Sequence, residues 1–276
     1  MKYRLLFLLP FCCFKAGFGK SIRNSSERIS PKGDFYFYWG WNRETYTKSD
    51  IHFKGTNFDF TVEKAKAHDR QSKLGVDPYL RIDEITIPQY NFRMGYHLND
   101  KYDISIGADH MKYVMVQDQV ALATGSIRNT STTYNGYYYK TPTTMSGDFL
   151  QFEHTDGLNY LNVEINRNEN LYIYNKNFAF TGFYGIGTGV LYPRSRCVIL
   201  GNEVNDQWHL SGYGISAKTG INIKLLKRFF IQSELKAGFI NMPDIVIEAH
   251  SSDRAKQHFG FLQGNIVFGY RFKLVK

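Results

Sequence analysis

His209-Leu210-Ser211 sets an imidazole and a hydroxyl one strand period apart, so that on an extended backbone both fall on one face. A base beside a nucleophile is the minimum arrangement for acyl transfer. The acid that would orient the histidine is missing from the residues that follow, since Gly212 to Lys224 holds no carboxylate. Glu203, Asp206 or Glu234 would have to substitute. A His-x-Ser pair arises readily by chance, and two polar residues near a strand end commonly serve only as interface groups.

A second set has the opposite character. Asn91, Arg93, Asp109, Glu164, Lys218, Glu234, Lys236 and Arg271 each alternate with large apolar neighbours, so each belongs to the polar face of a two-faced strand. Charges on one shared face need partners if that face is enclosed. Folding back at Asp100 sets Asn91 opposite Asp109 and Arg93 diagonal to it, and folding back at Leu226 sets Lys218 opposite Glu234. Such pairs predict a polar network, with Glu164, Lys236 and Arg271 as further members. Other chemistry is sparse. Gly185-Ile186-Gly187-Thr188-Gly189 lacks the spacing of a nucleotide loop and lies inside a strand, where close packing explains it. The eight histidines show no HExxH or paired-ligand spacing. His52, His68 and Asp69 in the first long loop could bind a metal, but they read rather as solvated loop residues. No metal and no cofactor are assigned.

The elements that must position these residues are strands. The clearest runs from His258 to Phe272, with Leu262, Ile266, Phe268, Tyr270 and Phe272 on one face and Gln263, Asn265 and Arg271 on the other. Taken with the preceding chain, the pattern predicts eight strands, at 34–43, 84–98, 102–116, 149–167, 177–192, 207–225, 228–242 and 258–272. Leu158 and Tyr160 are out of phase with Leu161, Val163 and Ile165, which predicts a bulge in the fourth. The connections alternate long, short, long, medium, long, short, long. Even parity with long loops at one end is the pattern of a membrane barrel, and a soluble sandwich has no need of it. The strand-like piece at 51–62 would break the parity, so it is assigned to an excursion hairpin in the first long loop. Residues 117–148, 193–206 and 243–257 are read as loops, and 168–176 as a turn.

Composition agrees. The chain holds 20 Tyr, 22 Phe and only 7 Pro in 276 residues, and after the N-terminus no apolar run approaches the roughly 20 residues of a membrane helix. Residues 1–19 read as a secretory signal peptide, basic at Lys2 and Arg4 and then apolar, and 20–33 as a polar leader. Removal of the signal leaves Cys197 as the one cysteine, so no intramolecular disulfide is expected. The formal net charge of +9 is spread without a Lys/Arg cluster, which argues against nucleic acid and points to anionic lipid head groups or surface glycans.

Over about 34–272 the chain resembles the eight-stranded bacterial outer-membrane barrels of the OmpA and OmpX type, through its architecture and the aromatic last strand ending at Phe272, which Lys273 to Lys276 follow. The resemblance implies an all-β, eight-stranded antiparallel transmembrane barrel in the cell outer membrane, in contact with its lipid and lipopolysaccharide. Such barrels include adhesins, anchors, small-molecule transport proteins and lipid A modifying enzymes, so the fold does not select among them. His209-Leu210-Ser211 is similar to an element of the outer-membrane lipid A deacylase. The expected role is non-enzymatic, structural or surface-interacting, carried by a monomer through the loops at 44–83 and 117–148 and an extracellular ligand or partner. A narrow, porin-like channel is the first alternative and a lipid A enzyme using His209 and Ser211 the second.

Overall fold

Tyr and Phe alternate with Gly, Asn and charged residues along most of the chain, and alternation of that kind is satisfied by strands with one face wet and one dry. The computed structural model describes residues 30–73, 75–79, 81–84, 88–205, 208–247 and 253–274; the signal expected at 1–19 and leader residues 20–29 lie outside them. In chain order the strands are β1 (Phe35–Tyr46), β2 (Ser49–Lys54), β3 (Phe58–Ala65), β4 (Ala67–His68), β5 (Tyr90–His97), β6 (Tyr102–Met115), β7 (Val120–Ile127), β8 (Gly136–Thr144), β9 (Leu150–Asn175), β10 (Phe178–Leu191), β11 (Arg196–Ile199), β12 (Asn202–Asn205), β13 (Gly212–Leu225), β14 (Phe229–Val246) and β15 (Arg254–Phe272). No described helix is long and apolar enough to cross a membrane.

Eight of these strands close on themselves. The order is β1-β5-β6-β9-β10-β13-β14-β15, and β15 returns to β1 with Phe35 opposite Phe272 and Tyr46 opposite Phe261. Every pairing is antiparallel, so the barrel leaves no unpaired edge in the wall. At one end the links are short: residues 98–101, 176–177 and 226–228. At the other they are long.

The wall is inside out relative to a soluble protein. Leu262, Ile266 and Phe268 of β15 are 45–47% exposed, whereas Gln263 and Asn265 between them are fully buried. The same holds for Ile104 and Ile106 against Asp103 and Ser105 on β6, and for Leu161, Val163 and Ile165 against Asn162 and Glu164 on β9. An exposed apolar belt around an enclosed polar lumen is stable only where the surrounding solvent is hydrocarbon, so the fold is a transmembrane β-barrel.

Further along the same strands the polarity reverses. On β15, Ala255, Phe259 and Phe261 point inward and are buried, while His258 and Lys256 lie on the outer face. On β6 the inward residues become Met111, Tyr113 and Met115. On β9 the inward Leu158 and Tyr160 precede the inward Asn162. The phase change that suggested a bulge at Leu158 is therefore a change of surrounding solvent, from water to lipid. The bulge itself lies higher, where Met111 pairs with Leu158 but Tyr113 with His154, and Gly157 takes φ of 125°.

Above the reversal the long connections build a head. The excursion hairpin is β2 and β3, and it continues the barrel wall upward through β15, with Lys54 opposite Arg254 and Ile51 opposite Gln257. β3 pairs with β7 and β7 with β8, so the stretch at 117–148, expected as loop, is a hairpin. The stretch at 193–206 likewise forms β11 and β12, which pair with each other, and β11 also pairs with the start of β9. Alternation in β7 and β8 is blurred by Thr, Ser and Gly, whose small side chains serve either face. Phe53, Phe60, Phe149, Phe152, Tyr113 and Phe259 form the centre of one apolar core beneath this sheet.

Two further boundaries move. β14 continues through Pro243 to Val246 by shifting register between Met242 and Ile245, which shortens the last loop. β9 and β10 run past the barrel rim to Asn175 and Phe178, replacing the turn expected at 168–176 with a two-stranded extension.

Candidate functional site

The polar residues of the belt converge in the lumen. Arg93 lies 3.0 Å from Glu164 and 3.7 Å from Asp109. Lys218 lies 2.5 Å from Glu164 and 3.2 Å from Glu234, and Lys236 lies 2.5 Å from Asp109 and 2.8 Å from Glu164. Three cations thus face three carboxylates, with Glu164 bridging all three cations. Neutral side chains fill the remaining valences: Asn91 donates to Asp109 (2.8 Å), Arg93 to the Tyr38 hydroxyl (3.0 Å), and Asn265 to Glu234 (2.6 Å). Gly187 makes room for the centre, since a Cβ there would come within 2.7 Å of the Glu164 side chain.

The structure places Asn91 opposite Asp109. It does not place Lys218 opposite Glu234. The turn at Leu226–Arg228 centres on Lys227, with both Leu226 and Lys227 at positive φ, so Lys218 stands opposite Lys236 and reaches Glu234 along the diagonal. Two like charges stand side by side there because Glu164 and Asp109 come from across the lumen, which local sequence does not show. Arg271 stands apart from the cluster. Its guanidinium donates to Asn222 (3.0 Å) and lies 5.3 Å from the Phe230 ring centre, and among the described residues no carboxylate comes within ion-pair distance of it, Asp103 and Asp34 acting from further off.

The lumen is filled at successive levels. Below the ionic cluster, toward the short turns, Tyr36, Tyr38, Phe230 and Val267 pack together. Beside them a cavity of about 20 Å³, lined by His97, Asp103, Asn166 and Arg271 among others, is large enough for one water. Above the cluster stands the apolar core of the head.

His209 and Ser211 do not form a dyad. The His209 ring bonds Asp244 at 2.9 Å, and Asp244 also accepts from Arg254 at 2.9 Å. The Ser211 hydroxyl is buried and lies 3.5 Å from the backbone oxygen of His209. Both residues precede β13, so the strand period that would have aligned them does not apply. Of the acids considered, Glu203 pairs with Arg196, Glu234 lies in the lumen, and Asp206 is outside the described residues.

Another His/Ser contact, which sequence reasoning missed, lies inside the head: His154 Nδ1 is 2.7 Å from the Ser195 hydroxyl. Complete burial pushes the His154 pKa down to about 4. Tyr113 and Phe152 pack on its ring. No sequence spacing links positions 41 residues apart. With both groups sealed from solvent, the pair acts as a structural tie.

The three loop residues considered for a metal do not converge. His52 bonds Asp59 at 2.8 Å, and His68 donates to the backbone oxygen of Asp69. Asp69 turns instead toward Glu44, and burial raises its carboxyl above the ordinary value.

At the far end of the head, Tyr137 and Tyr139 of β8 are 80% and 85% exposed. Tyr138 between them packs on the core, which fixes both neighbours on the outer face. The Arg128 guanidinium sits 4.9 Å from the Tyr137 ring centre.

No family model and no curated protein sequence matches this chain. Among solved structures it is similar to the outer membrane protein OprG from Pseudomonas aeruginosa, at 12% identity over 88% of this chain and 98% of that one, with a TM-score of 0.38. It is also similar to Ail, the attachment invasion locus protein of Yersinia pestis, at 10% identity over 87% and 99%, with a TM-score of 0.30. Neisserial surface protein A is similar at 11% identity over 88% and 100%, with a TM-score of 0.34. The strand pairings themselves, rather than these likenesses, carry the architecture.

Proposed function

We propose that the chain is an outer-membrane barrel whose task is non-enzymatic recognition at the cell surface, carried by the head. The observation that supports this most directly is the pair of tyrosines at 137 and 139. Rigid aromatic rings held outward on a packed strand supply contact area at small entropic cost, and Tyr, Ser, Thr and Asn around them supply adaptable hydrogen bonding. The extracellular partner is a surface glycan or protein; lipid and lipopolysaccharide surround the belt; and closure of the wall without an edge suits a monomer.

The test is substitution rather than deletion, because Ala121, Ile127 and Met145 of the β7–β8 region belong to the head core. A Tyr137→Ser, Tyr139→Ser variant is expected to keep the folded barrel and lose adherence of expressing cells to host-cell or matrix surfaces. Adherence equal to that of the unaltered protein would remove this reading.

A further inference from the structure

At the outward mouth of the lumen two carboxylates are gathered with no cation in ion-pair contact among the described residues. Glu44 is the last inward polar residue of β1 before the apolar Tyr46, and it is 3% exposed. Its Oε1 accepts from Gln263 (2.9 Å) and its Oε2 from Gln89 (2.6 Å). The same Gln89 nitrogen donates to Asp69 Oδ1, and Asp69 Oδ2 accepts from the backbone N–H of Glu44 at 3.1 Å. Neither carboxylate forms an ion pair among the described residues. Arg43, the nearby cation, is turned to Gln71, Ser72 and Tyr79.

A second observation comes from the next inward position. Asn42 is 5% exposed, and its Oδ1 is buried without a hydrogen-bond partner. Its amide donates to Asn91, which also donates to Gln263, so it belongs to the cluster that holds Glu44. Asn265, directly opposite Asn42 in the wall, likewise has a buried Oδ1 without a partner. The mouth of the lumen therefore holds buried oxygen acceptors without partners beside two carboxylates that Arg43 and Lys236 attract only from a distance, an arrangement that is costly unless something bound there supplies more charge. The ionic cluster below needs nothing of the kind, since its three cations already balance its three carboxylates.

We propose that Glu44 and Asp69, supported by the Asn42 amide oxygen, bind a divalent cation of the calcium class. The donors are all hard oxygens of carboxylate and amide type, which suit calcium in its adaptable geometry. Asp69 lies in the connection after β4 and is partly open to the long-loop side, giving the ion an entry path. Bound there, the cation ties that connection to the barrel mouth.

The test uses full-length protein folded in detergent micelles and stripped with a chelator, with terbium as a luminescent probe and calcium as competitor. Saturable terbium emission displaced by calcium is expected. It should weaken at least tenfold in Asn42→Ala and disappear in Glu44→Gln with Asp69→Asn, while Glu63→Gln on the outer face of the head retains it. Boil-sensitive gel migration shows that each variant holds a folded barrel, and Asn42→Ala decides the matter if the double variant does not fold. Absence of saturable binding overturns the proposal, as does binding unchanged in Asn42→Ala. A stability that follows pH at these positions and ignores calcium also overturns it, because the carboxylates would then share a proton. Adherence by the head stands or falls independently of all these outcomes.

Discussion

A single buried side chain can set how the head responds to acid. His154 is sealed among Tyr113, Phe152 and Ser195, and its pKa of about 4 lies below the ordinary histidine value of 6.5. The fold therefore prefers the neutral ring. Its stability is full above pH 6.5, falls as the pH drops from 6.5 toward 4, and levels off below that. The loss attributable to this group is roughly 3 kcal/mol. In His154→Gln the portion of the acid sensitivity between pH 6.5 and 4 should disappear, as read by protease resistance of the head across that range. An unchanged pH profile would assign the sensitivity elsewhere. Of the site residues, those on the polar face of alternating strands were legible from sequence, because burial of a strand face has a period of two. The His154–Ser195 and Glu44–Asp69 contacts were not, because each joins segments that meet only through the folding of the head.

At the scale of one strand, β15 carries two solvents in succession. Its outward residues are Ile266 and Phe268 in the belt and His258 above it, with the reversal between Phe261 and Leu262. Ile266→Lys places a charge in hydrocarbon and is expected to cost about 2–4 kcal/mol. His258→Lys, on the same face but in water, should be close to neutral. Denaturant unfolding of the two variants in lipid bilayers checks this, and equal costs would misplace the boundary. The same reversal explains where the sequence-based expectations failed. Within the belt, alternation is strong because lipid and lumen differ sharply, and the eight wall strands were predicted there. In the head, β7 and β8 carry Thr, Ser, Gly and Tyr, which fit either face, so their strand character depends on pairing with β3.

For the whole molecule, the filled lumen makes a statement about transport. The ionic cluster, the layer of Tyr36, Tyr38, Phe230 and Val267, and the core of the head stand in series across the barrel axis. In planar bilayers the protein is expected to show no large, stable single-channel openings, in line with the small interior of an eight-stranded wall. Reproducible openings would favour the channel alternative. Shortening the head is predicted to destabilise rather than to open, since its apolar core closes the outward mouth.

The chain alone made readable the class of fold, the number of wall strands and which residues face the lumen, because these follow from a periodicity of two and from the lengths of the connections. It also set the local pairing of Asn91 with Asp109, which depends on one short turn. The folded molecule was needed to show that Lys218 stands beside Lys236, that Glu164 joins three cations, and that Asp69 meets Glu44. Each of these depends on closing the barrel or folding the head, which brings together residues distant in the chain. It alone also showed that the long connections form a packed head. A change of solvent along a strand leaves the period of two unchanged and only moves the apolar residues to the other face.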